Sequence, residues 1–296
     1  PDIPPASAEY YASWSAVPQT ASGSFDAAYT VNVDKTGLET GEKVDDAIIE
    51  IEPVETTGTI SGGTWSLTPA DKQTVTTGDH AMDDSYQVSG GTASASWSLH
   101  YAVEQTSVSA LSGRVGPYSS QAEADAAAAA ARSSAEEQLR TEAQDLVDQA
   151  IAAARAELAS LDFRFNETVV PVGFEPYGGA HGSTQTISVP MDSANSYPMR
   201  NDEWSLQINI RKVDSETGEQ IAADTEFEVF EWDVVTGCFI PHGGDNQYTV
   251  VRNPDGTYSV ANGSRYDTEF DSSRTLYYTQ RNEGKYILVE TEAPDG

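Results

Sequence analysis

The sequence is poor in cysteine, in basic residues and in long apolar runs, and each shortage excludes a class of protein. Among its 296 residues there is one cysteine, Cys238, so an internal disulfide is excluded. Acidic residues outnumber basic ones by 47 to 16, which argues against nucleic acid or an anionic membrane surface as a partner. No apolar run approaches the roughly 20 residues of a membrane span, so we expect no membrane insertion of this stretch.

What the sequence does contain is typical of a folded β protein. Hydrophobic residues make up 38% of the chain, with 14 Tyr and 5 Trp, which is enough to build hydrophobic cores. The length exceeds that of one ordinary domain and favours two. Alternating Thr, Val, Tyr and Ser are typical of exported β proteins, in which a lone cysteine leaves no disulfide reinforcement. Because no start methionine or signal peptide is visible, we expect a piece of a longer extracellular protein.

One repeated stretch surrounds a lysine. VNVDKTGLETGEKV at 31–44 aligns without gaps with INIRKVDSETGEQI at 208–221. The two copies share the lysine, Lys35 in the first and Lys212 in the second, and the run ETGE. Internal similarity of this kind indicates a duplicated structural unit.

A second repeated stretch has the pattern Glu-Thr-x-x-Pro-x-Gly. It occurs at 167–173 and again at 290–296, downstream of the first repeat in each case. The two halves of the chain therefore begin alike and continue alike, and we predict two modules in series. The predicted organisation is a linker or N-terminal extension over 1–24, a first module over 25–203 and a second module over 204–296.

A long helix is predicted inside the first module, at about 120–161. This segment is rich in Ala, Glu, Gln and Leu, and Ser120 and Glu123 have the spacing of a capping box. Its apolar positions follow steps of three and four, as on a packed helix face: Leu139, Ala143, Leu146, Val147, Ala150, Ile151, Ala154, Leu158 and Leu161. Such a helix either lies against its own module or projects as a coiled-coil or partner-binding arm.

The rest of the chain is predicted to be β, and the phase of its strands points to a chemical site. Alternate residues of a strand face the same side. The in-phase sets are Tyr29, Val31, Val33 and Lys35; Trp204, Leu206, Ile208, Ile210 and Lys212; Phe163, Phe165 and Glu167; and Tyr286, Leu288 and Glu290. We therefore expect both lysines and both glutamates to face the interior with their apolar neighbours.

A buried lysine next to a buried glutamate has unusual chemistry. Burial lowers a lysine pKa and raises a carboxyl pKa, which favours a free amine beside a protonated acid. The amine is then a nucleophile, and the acid can shuttle protons. Tyr197, Met199 and Asn201 are also in phase, which makes Asn201 the candidate electrophile, with Asn195 as an alternative. Attack of Lys35 on this carboxamide would expel ammonia and leave an amide between the two side chains.

The second module resembles a known family. KVDSETGEQI, together with YILVETEAPDG, is similar to the B-type repeats of collagen adhesins and Gram-positive pilins. The resemblance implies a mainly β fold of two tandem Ig-like or transthyretin-like β-sandwich domains, the first with a long helical insertion. It also implies an intramolecular isopeptide bond between the lysine and an Asn or Asp of the last strand, promoted by the glutamate. Lys212 and Glu290 would have these roles, and Lys35, Glu167 and Asn201 would have them in the first module, where DKTG replaces the usual Lys-x-Asp.

The second module has no acceptor at the corresponding position. Asn201 follows Glu167 by 34 residues, and the same interval after Glu290 lies past Gly296. We therefore expect the last strand of this module to be missing from the sequence or to come from another chain. No completed bond at Lys212 is predicted within these residues.

Two functions fit these observations. The first is a structural stalk or adhesin module of a Gram-positive surface protein or pilus, extracellular and wall-anchored through other parts, whose partners are neighbouring domains or pilus subunits. The second is a binding module that recognises a host matrix protein or glycan through the helix or the aromatic stretch 60–112 with Trp65 and Trp97. We predict no enzyme activity beyond self-linkage, because acidic residues are too abundant for a pair of them to indicate a hydrolase. We also predict no cofactor and no metal, the acidic stretches HAMDD and YDTEFD being interpreted as solvated turns.

Overall fold

The fold is described by a computed structural model over residues 8–78, 90–178, 182, 184–221, 225–241, 249–261 and 275–293. The stretches HAMDD and YDTEFD lie outside these residues. Over the described residues the chain is mainly β with one helix, as predicted.

The strands and the helix are as follows. The first half contains β1 Tyr10–Ser15, β2 Thr20–Gly37, β3 Ile48–Pro53, β4 Thr57–Ile60, β5 Gly63–Thr68, β6 Gln73–Thr76, β7 Thr92–Thr106, β8 Ser112–Tyr118, α1 Gln121–Glu157, β9 Ser160–Val169, β10 Phe174–Pro176, β11 Thr184–Pro190 and β12 Ala194–Glu203. The second half contains β13 Ser205–Gln207, β14 Asn209–Ile210, β15 Glu226–Asp233, β16 Cys238–Pro241, β17 Thr249–Arg252, β18 Tyr258–Ala261, β19 Thr275–Tyr277 and β20 Tyr286–Glu292.

Two sheets enclose the core of the first half. One has six strands in the order β10-β12-β2-β7-β5-β4, and the other has four in the order β11-β9-β3-β6. Aromatic rings join the sheets across the core: the Phe163 ring of β9 lies 5.9 Å from the Tyr29 ring of β2 and 4.8 Å from the Trp97 ring of β7, between centroids. In the six-stranded sheet β2 runs antiparallel to β7 and parallel to β12.

The helix covers the part of the six-stranded sheet that the shorter sheet leaves uncovered. β2 has 18 residues and β7 has 15, whereas β3 has only 6. The C-terminal part of α1 lies over this overhang, where Val147, Ala150 and Ala154 share one core with Phe25 of β2. Of the two arrangements open for the helix, the structure therefore shows the one in which it packs against its own half.

The start of the helix agrees with the sequence prediction, and its end does not. Ser120 is its N-cap and accepts a hydrogen bond from the Glu123 amide at 3.3 Å, as the capping box predicts. The helix ends at Glu157, however, and Leu161, predicted to be helical, lies in β9. At this end the hydroxyl of Tyr29 donates to the carbonyl oxygen of Leu158 at 2.5 Å, and the following residues enter the four-stranded sheet.

A short N-terminal strand belongs to the first half. Residues 1–24 were expected to form a linker or extension, but β1 pairs with β8, and β2 already begins at Thr20. Trp14 and Ala16 pack with Leu139 of α1, so the β1–β8 ribbon is fixed to the helix.

The second half has shorter strands and a smaller core. Its sheets are β16-β15-β20, β14-β18-β17 and the pair β13-β19. The core centres on Val229 and Leu276, with Ile208, Val250, Tyr286 and Leu288 packed around them. All pairings among the described strands fall within β1–β12 or within β13–β20, and the division into two modules remains a prediction.

The two halves touch through a small polar and aromatic contact. The Gln280 side chain binds the backbone of Asp45 twice, accepting from its amide at 2.8 Å and donating to its carbonyl oxygen at 2.9 Å. The Tyr278 ring lies 5.5 Å from the Phe174 ring, between centroids, and the Trp204 amide donates to the Gly173 carbonyl oxygen at 2.9 Å. Elsewhere in the molecule, no helix of the described residues combines the length and apolar character needed to cross a membrane.

Candidate functional site

Three strands of the first half bring a lysine, a glutamate and an asparagine together. Lys35 lies near the end of β2, Glu167 on β9 and Asn201 on β12. On each strand the residue continues the inward-facing alternation, after Val33 on β2 and Met199 on β12. The parallel pairing of β12 with β2 places Met199 opposite Lys35 and Asn201 opposite Gly37. The site therefore lies between the two sheets, where β9 faces β2 and β12.

The polar atoms of the three side chains form a closed triangle. The Lys35 Nζ atom lies 3.0 Å from Glu167 Oε2 and 2.5 Å from Asn201 Oδ1. The Asn201 Nδ2 atom donates to Glu167 Oε1 at 3.1 Å. The side chains of Lys35 and Glu167 have no solvent-exposed surface, and Asn201 is fully buried. Glu167 thus contacts both the amine and the carboxamide nitrogen, one with each oxygen.

Burial dominates the electrostatics of this triangle. It lowers the pKa of the Lys35 amine from its ordinary value of 10.5, although the charge of Glu167 and its hydrogen bond act in the opposite direction. Hydrophobic neighbours enclose the site: Met199 is fully buried, and the Phe165 ring packs edge-on against that of Tyr197 at 5.8 Å. Removal of water shifts the lysine toward the neutral amine, the form that carries a free lone pair.

The arrangement supplies the three parts of an amide-forming reaction. A neutral amine is a nucleophile, a carboxamide carbon is an electrophile, and a carboxyl group between them can move protons. Contact within the folded protein replaces a bimolecular encounter and supplies a high effective concentration.

The alternative acceptor, Asn195, is not at the site. It is exposed and lies opposite Val31 on the same parallel pair. Six residues of extended strand separate it from Asn201, a distance of roughly 20 Å at about 3.3 Å per residue. Of the two candidates, Asn201 is the one that the structure brings to Lys35.

The second lysine and glutamate also meet, but near the surface. Lys212 Nζ contacts Glu290 Oε2. Their side chains keep 26% and 29% of their surface exposed, so the expectation that this pair is buried is wrong. Trp204 and Leu206, predicted to share its inward face, are 53% and 49% exposed. The reason is that the strand is interrupted: β13 pairs with β19 and β14 with β18, and no described strand covers the other edge of β14.

The aromatic residues suggested for ligand binding are part of the core. Trp65 on β5 and Trp97 on β7 are 4% and 1% exposed. Strand alternation directs both rings inward, so neither can contact a host protein or glycan in this structure. The suggested aromatic binding surface over 60–112 is therefore wrong as far as these two residues are concerned.

Sequence reasoning missed one buried carboxylate beside the site. Glu203, the last residue of β12, is 7% exposed and lies two residues after Asn201. It binds the loop that follows β2, through the amides of Glu39 at 3.0 Å and Thr40 at 2.9 Å. A signal was present, because Glu203 continues the inward phase of Met199 and Asn201.

Comparison with known proteins gives distant structural likenesses. No protein-family model and no curated protein sequence matches the chain. Similar solved structures include the Bacillus anthracis TIE protein (15% identity, TM-score 0.38), a streptococcal ancillary pilin (13%, 0.26) and the basal pilin SpaE of Lactobacillus rhamnosus GG (9%, 0.30). Each covers 91% of this chain, which spans 29%, 55% and 83% of theirs. At these TM-scores the likenesses assign no function.

Proposed function

We propose that the first half links itself by an isopeptide bond between Lys35 and Asn201, with Glu167 as acid and base. The observation that carries the proposal is the buried triangle, with the lysine nitrogen 2.5 Å from the carboxamide oxygen and Glu167 in contact with both partners. A surface ion pair would neither lower the pKa of the amine through burial nor exclude water.

The reaction balances without any further reactant. Lys35 Nζ attacks Asn201 Cγ, the new bond is Nζ–Cγ, and the bond that breaks is Cγ–Nδ2. Glu167 takes a proton from the attacking nitrogen and delivers one to the departing nitrogen, which leaves as ammonia. The product is a secondary amide and Glu167 returns to its starting protonation state.

The proposed role of the bond is mechanical and thermodynamic reinforcement. It would close a loop between residues that are 166 positions apart, a constraint of roughly 5 kcal/mol by analogy with disulfide entropy. The joined strands β2 and β12 are neighbours, and β12 leads directly to the second half. Tension between the ends of this half would therefore pass through the new amide instead of peeling the strands apart.

This reinforcement is what a stalk under force requires, in a chain that has no disulfide. We propose that the chain is a structural module of an extracellular Gram-positive surface protein or pilus, with domains at about 25–203 and 204–296. The sequence similarity of the second half to adhesin and pilin repeats supports this assignment. The contact of Lys212 with Glu290 supports a second self-linking site, whose acceptor would come from a strand beside β14.

The test is the intact mass of the purified, denatured protein. We expect the wild type to be lighter than its sequence by one ammonia, and Lys35→Met and Glu167→Gln to have the full mass. Lys212→Met is the matched control and should lose ammonia as the wild type does. A digest should contain one branched peptide that joins the segments around Lys35 and Asn201.

A full-mass wild type would refute the proposal. Loss of ammonia that persists in Lys35→Met would also refute it, because the bond would then involve another lysine.

A further inference from the structure

The lysine of each half is followed by the same loop. We call residues 39–42 the first ETGE loop and residues 216–219 the second ETGE loop. Equivalent backbone hydrogen bonds close both: Gly37 N to Glu42 O at 2.9 Å and Asp214 N to Glu219 O at 2.8 Å; Val44 N to Lys35 O at 3.0 Å and Ile221 N to Lys212 O at 3.1 Å. The two loops therefore present the amides that these backbone bonds do not use in the same arrangement.

In both loops these amides bind a carboxylate, but the two carboxylates come from different places in the sequence. In the second ETGE loop Asp214 receives the amides of Glu216 and Thr217 at 2.9 and 2.7 Å, and the Thr217 hydroxyl at 3.0 Å. These hydrogen bonds, chiefly those from Thr217, lower the pKa of Asp214. The carboxylate is local, two residues before the first amide that it binds.

In the first ETGE loop the carboxylate comes from the far end of the first half. Glu203 of β12 receives the equivalent groups, the amides of Glu39 and Thr40 at 3.0 and 2.9 Å and the Thr40 hydroxyl at 2.7 Å. Glu203 is 163 residues away from Thr40 in sequence. The same anion-binding loop is thus used to hold a distant strand.

A glycine allows the carboxylate of a distant strand to take the place of the local aspartate. The position equivalent to Asp214 is Gly37, where a Cβ atom would lie 2.0 Å from Glu203 Oε1. Such a contact is far inside van der Waals distance, so an aspartate at position 37 would compete for the loop and exclude Glu203 sterically. Gly37 leaves the loop open to the carboxylate of β12.

We propose that Glu203 is a positioning residue for the Lys35–Asn201 reaction, which latches β12 to the first ETGE loop and sets the acceptor opposite the amine. The inference rests on the proposed function. Asn201 lies two residues before Glu203 on β12, and its own carbonyl oxygen receives the Leu38 amide at 2.8 Å. The backbone of the acceptor is therefore held on the same loop that follows Lys35.

The latch acts through register. β12 is bound to β2 by parallel pairing, and a slip by one residue would turn Asn201 away from the interior. The carboxylate of Glu203 stabilises this alignment, because three donors of the loop converge on its two oxygens. A misplacement of about 1 Å can slow a reaction by about a hundredfold.

The experiment follows bond formation during refolding. Protein dissolved from inclusion bodies in denaturant, before the reacting groups have met, is diluted into buffer, and loss of ammonia is timed by mass spectrometry. Glu203→Ala should react about tenfold more slowly than the wild type or worse. Glu203→Gln, which keeps the size and one acceptor oxygen, should react at an intermediate rate.

The double variant Gly37→Asp/Glu203→Ala separates latching from simple loop stability. Its new aspartate should hold the loop as Asp214 does, so hydrogen exchange at the Glu39 and Thr40 amides should be as slow as in the wild type. Its reaction should nevertheless stay as slow as that of Glu203→Ala, because β12 is no longer attached. The variant also keeps the test informative if Glu203→Ala folds poorly.

Two outcomes would overturn the latch while leaving the bond itself in place. One is a wild-type rate in Glu203→Ala, and the other is a wild-type rate restored by the double variant. If the wild type itself loses no ammonia, the proposed function fails instead, and this is seen before any variant is compared.

Discussion

Two lysine–glutamate pairs occupy equivalent sequence positions in this protein but different environments. Lys35 and Glu167 are sealed between two sheets, whereas Lys212 and Glu290 keep about a quarter of their side-chain surface exposed. In the first half β12 covers the free edge of β2 and brings Asn201; within the described part of the second half, β14 has no such neighbour. The repeated motif is therefore enough to bring a lysine and a glutamate together, whereas in the first half a third strand buries the pair and places a carboxamide beside it.

The largest expected effect is on stability, and it should separate the two pairs. Lys35→Met removes the proposed cross-link and leaves Glu167 buried without its partner, so we expect a loss of roughly 5 kcal/mol in the free energy of unfolding. Lys212→Met breaks a partly exposed pair and should cost about 0–1 kcal/mol. Denaturant unfolding of both variants measures the two losses of stability. Equal losses would contradict the proposed difference between the buried and the exposed pair.

The second expected effect is a pH dependence of the free energy of unfolding, in a variant that cannot form the Lys35–Asn201 bond. In Asn201→Ala the amine of Lys35 remains free, and burial keeps its folded-state pKa below the ordinary 10.5 of the unfolded chain. Between these two values the unfolded state binds more protons, so stability should rise with pH and be lost as the pH falls through the folded-state pKa. One proton limits the slope to about 1.4 kcal/mol per pH unit.

The control for this pH effect is the double variant Asn201→Ala/Lys35→Met, which lacks the titrating amine. Its stability should not show the additional rise over the same window. An equal rise in both proteins would assign the dependence to other groups.

A third effect tests how independent the two halves are. Gln280→Ala removes two hydrogen bonds to the Asp45 backbone, and we expect a loss of about 1–2 kcal/mol in coupling between the halves. We expect calorimetry to resolve one unfolding transition for each half, and these should lie further apart in Gln280→Ala than in the wild type. Gln144→Ala, an exposed helix position, is the matched control and should leave them unchanged. Unaltered transitions in Gln280→Ala would show that this contact does not couple the halves.

The smallest effect is expected at the exposed acid. Glu290→Gln should change the free energy of unfolding by less than about 1 kcal/mol, and the change should shrink further in high salt, because partly exposed ion pairs are screened. Unfolding measured at two ionic strengths checks this. A large, salt-independent loss would mean that Glu290 is more buried in solution than the structure shows.

Much of the candidate site followed from strand alternation. Period two correctly placed Lys35 and Asn201 on inward faces, because each continues an apolar series on an uninterrupted strand. The same rule failed for Trp204 and Leu206, where the strand breaks before Ile208. Alternation gives the side of a sheet on which a residue lies, but whether that side is covered depends on strands that are distant in sequence.

Prediction of the fold from the sequence has the same limit. Ser120 marks the start of the helix through a local hydrogen bond, whereas the carbonyl oxygen of Leu158 at its other end binds Tyr29, which is 129 residues away in sequence. The pairing of β1 with β8 and the parallel pairing of β12 with β2 also join segments far apart in the chain. Nothing in the local pattern encodes these contacts.

The duplicated motif, the β character, the helix and the lysine and glutamate of the candidate site could be predicted from the sequence alone, because they depend on side-chain chemistry and on periods of two and 3.6 residues. Three features could be found only in the folded molecule: Asn201 and not Asn195 meets Lys35, the second pair stays partly in water, and Glu203 binds the first loop as Asp214 binds its equivalent in the second half. The physical reason is that burial and register are properties of neighbouring strands, and strand neighbours are chosen by packing over the whole chain.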